Sequence, residues 1–353
     1  MREIAIVGFD QLPNERRTSF SDVEMARRVI TGALEQSGVE RKAIDFWCSG
    51  SADMIVGRPF SFLSALDAVG AWPPVSESHV EMDGAWALYE SWVRLLHGDD
   101  FQTSLVYCFG EASTGDIRNV LTTQLDPYYL APLGLDSISM AALQAQAVLD
   151  GGKYSEKDFA EVAYRNRKNA ATNDYAYLRD SEEVDTLLQE EPIVGVLRQH
   201  ACPPITDGAC AVVIATREYV EAHDLKPLAW IRGFDHRIDT QDPGGRDLAD
   251  APSARLAAEQ AGVKDGPIDI AELHAPFAHQ ELILRDAIGL GDDTTINPSG
   301  GALAANPMMV AGLTRIGEAA SALSRGEGKR ALAHATSGPA LQQNLICILE
   351  ADA

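Results

Sequence analysis

Residues 33–46 read ALEQSGVERKAIDF, and residues 257–270 read AAEQAGVKDGPIDI. Each closes an apolar-periodic helical run on a glycine, Gly38 or Gly262. Each then enters a strand-like run through Ile44-Asp45 or Ile268-Asp269. Glycine just past the last periodic residue is the usual left-handed stop of a helix. A second pair follows in the same order, VRLLHGDDFQTSLVYCFG (93–110) and SALSRGEGKRALAHATSG (321–338). Both end on a glycine twelve residues after a helix-terminating glycine, Gly98 or Gly326. Gly38 to Gly98 spans 60 residues, and Gly262 to Gly326 spans 64. Helix–glycine–strand junctions are common, but two in order and in register point to a duplicated α/β half about a pseudo-two-fold axis.

Outward from the repeats, a first strand runs from Ile4 to Gly8. Ser21 and Glu24 then form a capping box that opens a helix ending near Gly38. Strands are expected at IDFWCSG, SHVEMD and TSLVYCFG, with a helix through AWALYESWVRLLHG closed by Gly98. Such alternation predicts a layered α/β domain with a largely parallel sheet. From about 111 to 206 the chain is polar and helical in patches, broken by Pro127, Pro132, Pro192, Pro203 and Pro204. One helix there opens at Ser155 with Asp158. This reads as a long insertion over the sheet, the kind of segment that carries binding determinants. Strands resume at CAVVIAT and LAWIRGF, and a helix follows through SARLAAEQAG. The division expected is a first half over 1–225, holding the insertion, and a second half over 226–353.

The bulk composition sets limits on function. The 353 residues are 46% apolar and carry a net charge of −23, which argues against nucleic-acid or anionic-membrane surfaces. No apolar run reaches the ~18 residues of a membrane span. MREIAIVGFD enters a strand at once, which leaves no room for a signal peptide and makes the cytoplasm the expected location. Cys48, Cys108, Cys202, Cys210 and Cys347 form no C-x-x-C pair and read as structural, and no metal site is expected. Phosphate-loop, zinc-protease and EF-hand motifs are missing from the sequence.

Four stretches carry a family resemblance. TDGACAVVIA (206–215) resembles the D-G-A-A-A strand entry of the thiolase superfamily, and INPSGGALAANP (296–307) resembles its N-x-x-G-G-x-x-x-x-G-H-P loop. ELHAPFAHQELILRDAIGL (272–290) resembles the E-x-H-D-x-F segment of the sterol carrier protein X-type thiolases. HVEMDGAWALYE (79–90) lies where the nucleophile segment belongs. The resemblance covers essentially the whole chain. It implies a thiolase fold: duplicated βαβαβαββ halves in a layered αβαβα core, with a long helical insertion in the first half.

The family's catalytic set does not carry over. Gly84 falls at the nucleophilic cysteine, Asn306 replaces the histidine of G-H-P, and Ser337 or its neighbour replaces the second cysteine. An acyl-enzyme needs an activated thiolate, so thiolysis and Claisen condensation are not expected. His274 survives at the position that polarises the thioester oxygen, and Asn306 is a second candidate donor. The resemblance implies substrate contacts at Gly300, Gly301, Asp83, Gly84, Ser337 and Gly338. Arg165, Arg167 and Lys168 of YRNRKN are candidates for coenzyme A phosphates. Coenzyme A is expected as part of the substrate, with no covalently bound cofactor.

Cysteine-lacking relatives of this superfamily, the actinobacterial lipid-transfer-protein-like homologues of steroid side-chain degradation, include retro-aldolases that pair with a zinc-ribbon/OB-fold small subunit. That chemistry needs a base and an oxyanion hole but no covalent intermediate. The base would be His274, His279 or Asp83. Two other readings stay open. The chain is either a non-catalytic subunit dimerising with an active thiolase-like paralogue, through an aromatic face of Trp86, Tyr89 and Trp92, or an acyl-CoA carrier. Catalysis predicts a titratable group at the pocket floor; a scaffold predicts a pocket filled by side chains such as Met308 and Met309.

Overall fold

A computed structural model describes residues 2–97 and 100–352. The first half runs β1 (Ile4–Gln11), α1 (Asp22–Ser37), β2 (Phe46–Gly50), α2 (Asp53–Val56), α3 (Ser61–Val69), β3 (Glu77–Val80), α4 (Gly84–His97) and β4 (Thr103–Gly110). The insertion carries α5 (Ile117–Thr122), α6 (Ser137–Asp150), α7 (Glu156–Asn169) and α8 (Val184–Leu187), and β5 (Gly208–Thr216) follows it. After α9 (Arg217–Ala222) come β6 (Ala229–Ile238), α10 (Pro252–Gln260), β7 (Ile270–Leu273), α11 (Ala278–Ile288) and β8 (Thr295–Ile296). The chain ends with α12 (Gly301–Ala304), α13 (Ala311–Ser324), β9 (Arg330–Ser337) and β10 (Gln343–Glu350).

The ten strands pair in the order β3-β2-β4-β5-β1-β6-β10-β9-β7-β8. Counted outward from the central antiparallel β1·β6 contact, both directions run first, fifth, fourth, second and third strand of a half. The largely parallel sheet expected from the helix–strand alternation is in fact mixed. β2 pairs parallel with β3 and β4, and β7 with β8 and β9. β5 and β10, however, are antiparallel to both of their neighbours. No helix crosses over between β9 and β10, and a short connection forces antiparallel pairing.

Alternation along the strands builds the layers. Leu105, Tyr107 and Phe109 of β4 pack with α1 and α3, whereas Val106 and Cys108 face a central cluster. Leu345, Cys347 and Leu349 of β10 join that central cluster from the other side, and Ile346 and Ile348 pack towards α10 and α11. α4 and α13 fill the middle. The result is the expected αβαβα sandwich.

The repeated residues do the same work twice. Gly38 and Gly262 both take left-handed backbone, at φ 71° and 87°. The Asp45 carboxylate accepts the Gln102 and Thr103 amides at 2.8 and 3.1 Å, where β4 begins. Asp269 accepts those of Lys329 and Arg330 at 2.7 and 3.0 Å, where β9 begins. Ser21 accepts the Glu24 amide at 3.2 Å, and the Ser155 amide donates to Asp158 at 2.7 Å, as the capping pattern implies. Gly98, expected to close α4, lies outside the described residues. The α4 aromatics turn inward rather than offering a free face. Trp86 is buried, and Tyr89 and Trp92 pack on Phe234 of β6 at ring distances of 5.3 and 5.7 Å.

Candidate active site

The site forms where α4, α13, the end of β7 and the end of β9 meet. Asp83 immediately precedes α4 and is buried. Its Oδ1 accepts the amides of Ala85 and Leu313, and its Oδ2 accepts that of Gly312, each at 2.9 Å. One carboxylate thus caps the N-termini of both central helices, where orphan amides and the helix dipoles favour an anion. Burial pushes the Asp83 pKa up, and the three amides and Arg315 work against that rise. Gly84 follows, and a Cβ there would lie 2.6 Å from Cys108 Sγ and 2.9 Å from Leu313. Close packing, not merely the residue type, leaves no space for a nucleophile at this helix start.

His274 follows β7 directly. The Thr336 amide donates to its Nδ1 at 3.4 Å, so the proton sits on Nε2, which donates to Asn306 Oδ1 at 3.2 Å. This hydrogen bond directs Asn306 to offer its Nδ2 hydrogens elsewhere. The Asn306 backbone N–H donates to Thr206 Oγ1 at 3.2 Å, tying the TDGA motif to the GG loop. Burial, with the Arg315 charge beside it, lowers the His274 pKa to about 4. At neutral pH the ring is uncharged and acts as a donor.

Behind this pair lies a buried ion pair. Arg315 Nη1 donates to Glu272 Oε2 at 2.8 Å, and Ser299 gives Glu272 both its amide and its hydroxyl at 2.9 and 2.8 Å. Glu281 takes Arg165, Asn166 Nδ2 at 2.9 Å and Asn297 Nδ2 at 3.1 Å, locking α7, α11 and the GG loop together. Both glutamates of the ELHAPFAHQEL stretch are therefore structural anchors, one on each side of His274 and His279.

His274, Asn306, Asp83, Ser337 and Gly338 converge on one pocket of about 250 Å³. Its walls are largely apolar. Ile117, Leu121, Leu125 and Met140 come from the insertion, and Met308 and Met309 follow Asn306. The methionines line the space without filling it. Backbone strain gathers there, since Met309, Ala340 and Leu341 hold φ of 68°, 53° and 60°. Left-handed backbone at non-glycine residues clusters at functional sites.

Other site candidates are placed elsewhere. Gly300 and Gly301 do not line the pocket. A Cβ on Gly300 would meet Ala170 at 2.6 Å, and one on Gly301 would meet Asn297 at 2.7 Å. Gly300 lets the end of α7 approach the loop and Gly301 makes room for the Asn297 side chain, so the backbone they expose is covered by protein. Arg165 pairs with Glu281, Arg167 donates to the His200 carbonyl at 3.1 Å, and Lys168 pairs with Asp180 at 2.7 Å. None of the three reaches the pocket. His279 is fully buried against Gln144 at 3.2 Å and does not line the pocket, so it is out of reach of a ligand there; burial lowers its pKa to about 3.

Cys202 does line the pocket. Its thiol donates to the Arg198 carbonyl at 3.5 Å, and burial pushes its pKa up to about 11. Arg118 and Asp136, an ion pair on the wall, carry no local motif that would have marked them. Among the described residues, no group of three or more His, Cys, Asp or Glu could hold a metal ion, and no helix is long and apolar enough to cross a membrane.

Comparison with known proteins follows this geometry. No family model matches the chain. Chicken sterol carrier protein 2 is 25% identical over 387 residues, which cover 98% of this chain and 70% of that protein. The bovine sterol carrier protein 2 is 30% identical over 216 residues, and the match spans 53% of this chain but only 39% of that protein. Acetyl-CoA acetyltransferase of Methanothermobacter thermautotrophicus is 25% identical, covering 96% of this chain and 95% of the enzyme. Human mitochondrial 3-ketoacyl-CoA thiolase superposes over 100% of this chain and 98% of its own in a complex with CoA, with a TM-score of 0.80 at 18% identity. The chain is a thiolase-fold protein related to sterol carrier protein 2 and to acetyl-CoA acetyltransferases.

Proposed function

We propose that this chain is the thioester-binding component of a complex that cleaves a C–C bond in steroid or lipid side-chain CoA esters by a retro-aldol route. Coenzyme A enters as part of the substrate. The observation that carries this reading is the His274–Asn306 pair in an apolar pocket, beside a helix start with no space for a nucleophile.

In retro-aldol cleavage of a β-hydroxyacyl thioester, a base takes the β-hydroxyl proton and the Cα–Cβ bond breaks. Its electron pair passes to the thioester oxygen as an enolate, a ketone or aldehyde leaves, and Cα is reprotonated. No acyl-enzyme forms. The step needs donors aimed at the oxygen that gains charge. Asn306 Nδ2–H is such a donor; the neutral His274, itself held by the Thr336 amide, fixes the Asn306 side chain by donating its one N–H to Oδ1. Among the described lining residues, Asp83 is committed to three amides, Asp136 to Arg118, and Cys202 stays protonated. The base therefore comes from a partner, such as a zinc-ribbon/OB-fold small subunit.

One observation favours a second reading. Both ring nitrogens of His274 already have partners inside the chain, as a purely structural histidine would. On that reading this chain is a non-catalytic subunit of a dimer with an active thiolase-like paralogue.

The test is cleavage of a β-hydroxyacyl-CoA steroid by the complex that copurifies with this chain, with His274→Ala and Asn306→Ala beside the wild type. Size-exclusion confirms that the complex is intact. Losing an oxyanion donor costs ~100-fold or more in kcat. That loss is expected for Asn306→Ala, and a smaller one for His274→Ala, which frees the Asn306 side chain to turn. No break from His274 is expected in the wild-type pH profile above about pH 4. An unchanged rate in both overturns the catalytic reading in favour of the structural subunit.

A further inference from the structure

The pocket has a closed end and an open one, and they differ in charge. His274, Asn306 and Asp83 are buried, whereas the Arg118 side chain is 56% exposed. Arg118 is the one arginine or lysine among the described lining residues. Its Nε is anchored by Asp136, which is itself fixed at the start of α6 by accepting the Ser139 amide at 2.7 Å. Among the described residues, the two Nη groups of Arg118 have no protein acceptor. The guanidinium is thus oriented from one side and leaves a two-nitrogen fork free. Such a fork matches a carboxylate or phosphate bidentately. A protein of net charge −23 repels an anionic ligand unless a local cation receives it.

We propose that Arg118 recognises an oxyanion, phosphate or carboxylate, carried by the ligand away from its thioester. The inference rests on the thioester-pocket reading above and adds what the mouth selects. A ligand that fills the apolar walls and places its carbonyl at Asn306 extends outward past α5 and α6, where this fork waits. Asp136 opposes the incoming charge while holding the arginine. The two members of the ion pair therefore act in opposite directions on affinity.

Three thioesters separate the alternatives in direct binding measurements with the full chain. Octanoyl-CoA carries phosphates, octanoyl-pantetheine carries no anion, and suberoyl-pantetheine carries only a terminal carboxylate. Arg118→Ala is expected to weaken an anionic ester by ~10-fold or more and to leave octanoyl-pantetheine within about 2-fold. Asp136→Asn keeps an acceptor for the Ser139 amide and is expected to bind the same anionic ester at least as tightly as wild type. Dependence seen with octanoyl-CoA places the anion on the carrier; dependence seen with suberoyl-pantetheine places it on the acyl chain. Equal loss for charged and neutral esters in Arg118→Ala overturns the inference. So does parallel weakening in both variants, the signature of a structural ion pair. Wild-type binding to none of the three overturns the thioester reading and this inference with it. Equal binding of all three, unaltered in Arg118→Ala, overturns the inference alone.

Discussion

Asp83 shows how one side chain can take a position out of chemistry and into structure. Sequence resemblance places it beside the nucleophile site as a base candidate, and it does line the pocket. Yet its two oxygens are shared among three buried amides from two helices. An orphaned buried amide costs ~1–3 kcal/mol, less where pocket water can reach it. Asp83→Ala is therefore expected to lower unfolding free energy by about 2–4 kcal/mol. Asp83→Asn should cost less, since one acceptor oxygen remains. Denaturant titration measures both. Full stability with lost turnover in Asp83→Ala would return the residue to the role of base.

At the scale of elements, the duplicated junctions are legible because they repeat a physical requirement. Gly38 and Gly262 supply left-handed backbone, and Asp45 and Asp269 each gather two amides at the start of the neighbouring strand. The floor of the site is legible for the same reason, since His274, Asn306 and Ser337 stand at strand or loop ends that recur in a recognisable order. The walls are not. Ile117, Leu121 and Met140 come from an insertion whose packing depends on partners far along the chain. The charges of YRNRKN look available in sequence, because Glu281, the acceptor of Arg165, lies 116 residues away. The paired glycines show the same limit. Their need for close approach is visible, but whether ligand or protein approaches is not. A Gly300→Ala change puts a Cβ 2.6 Å from Ala170 at φ 105°, whereas Gly57→Ala at φ 81° meets nothing within 4 Å. Gly57→Ala should cost about 1–2 kcal/mol, from backbone conformation alone. Gly300→Ala should cost more than that and increase protease cleavage near the end of α7, where the loop no longer closes. Equal stability losses, with ligand binding lost only in Gly300→Ala, would restore a ligand role to that glycine.

At the scale of the molecule, three buried neutral histidines sit in the second half of the fold. Burial lowers His274 to about 4 and both His279 and His334 to about 3. An unfolded histidine titrates near ~6.5, so the unfolded chain binds more protons between that pH and the folded value. Their contribution is complete above about pH 6.5 and is lost as pH falls towards 4 and then 3. Buried carboxylates act with the opposite sign. Burial raises Asp10 to about 6 and also raises Glu272, so folding favours their protonated forms and offsets part of the acid loss. A difference between two proteins isolates one histidine from this background. His334 donates from Nε2 to Asn344 at 2.8 Å, a bond that His334→Gln can replace with its own amide without carrying a titratable ring. At pH 7 the variant is expected to be the less stable of the two, through imperfect packing. As pH falls through the window from 6.5 to about 3, wild type should lose ground to it by up to about 1.4 kcal/mol per pH unit. Denaturation curves at pH 7, 5.5 and 4.5 measure that convergence. Stability differences that stay parallel across the series would mean that His334 titrates in the folded protein as it does in the unfolded chain, and that acid sensitivity arises from other groups.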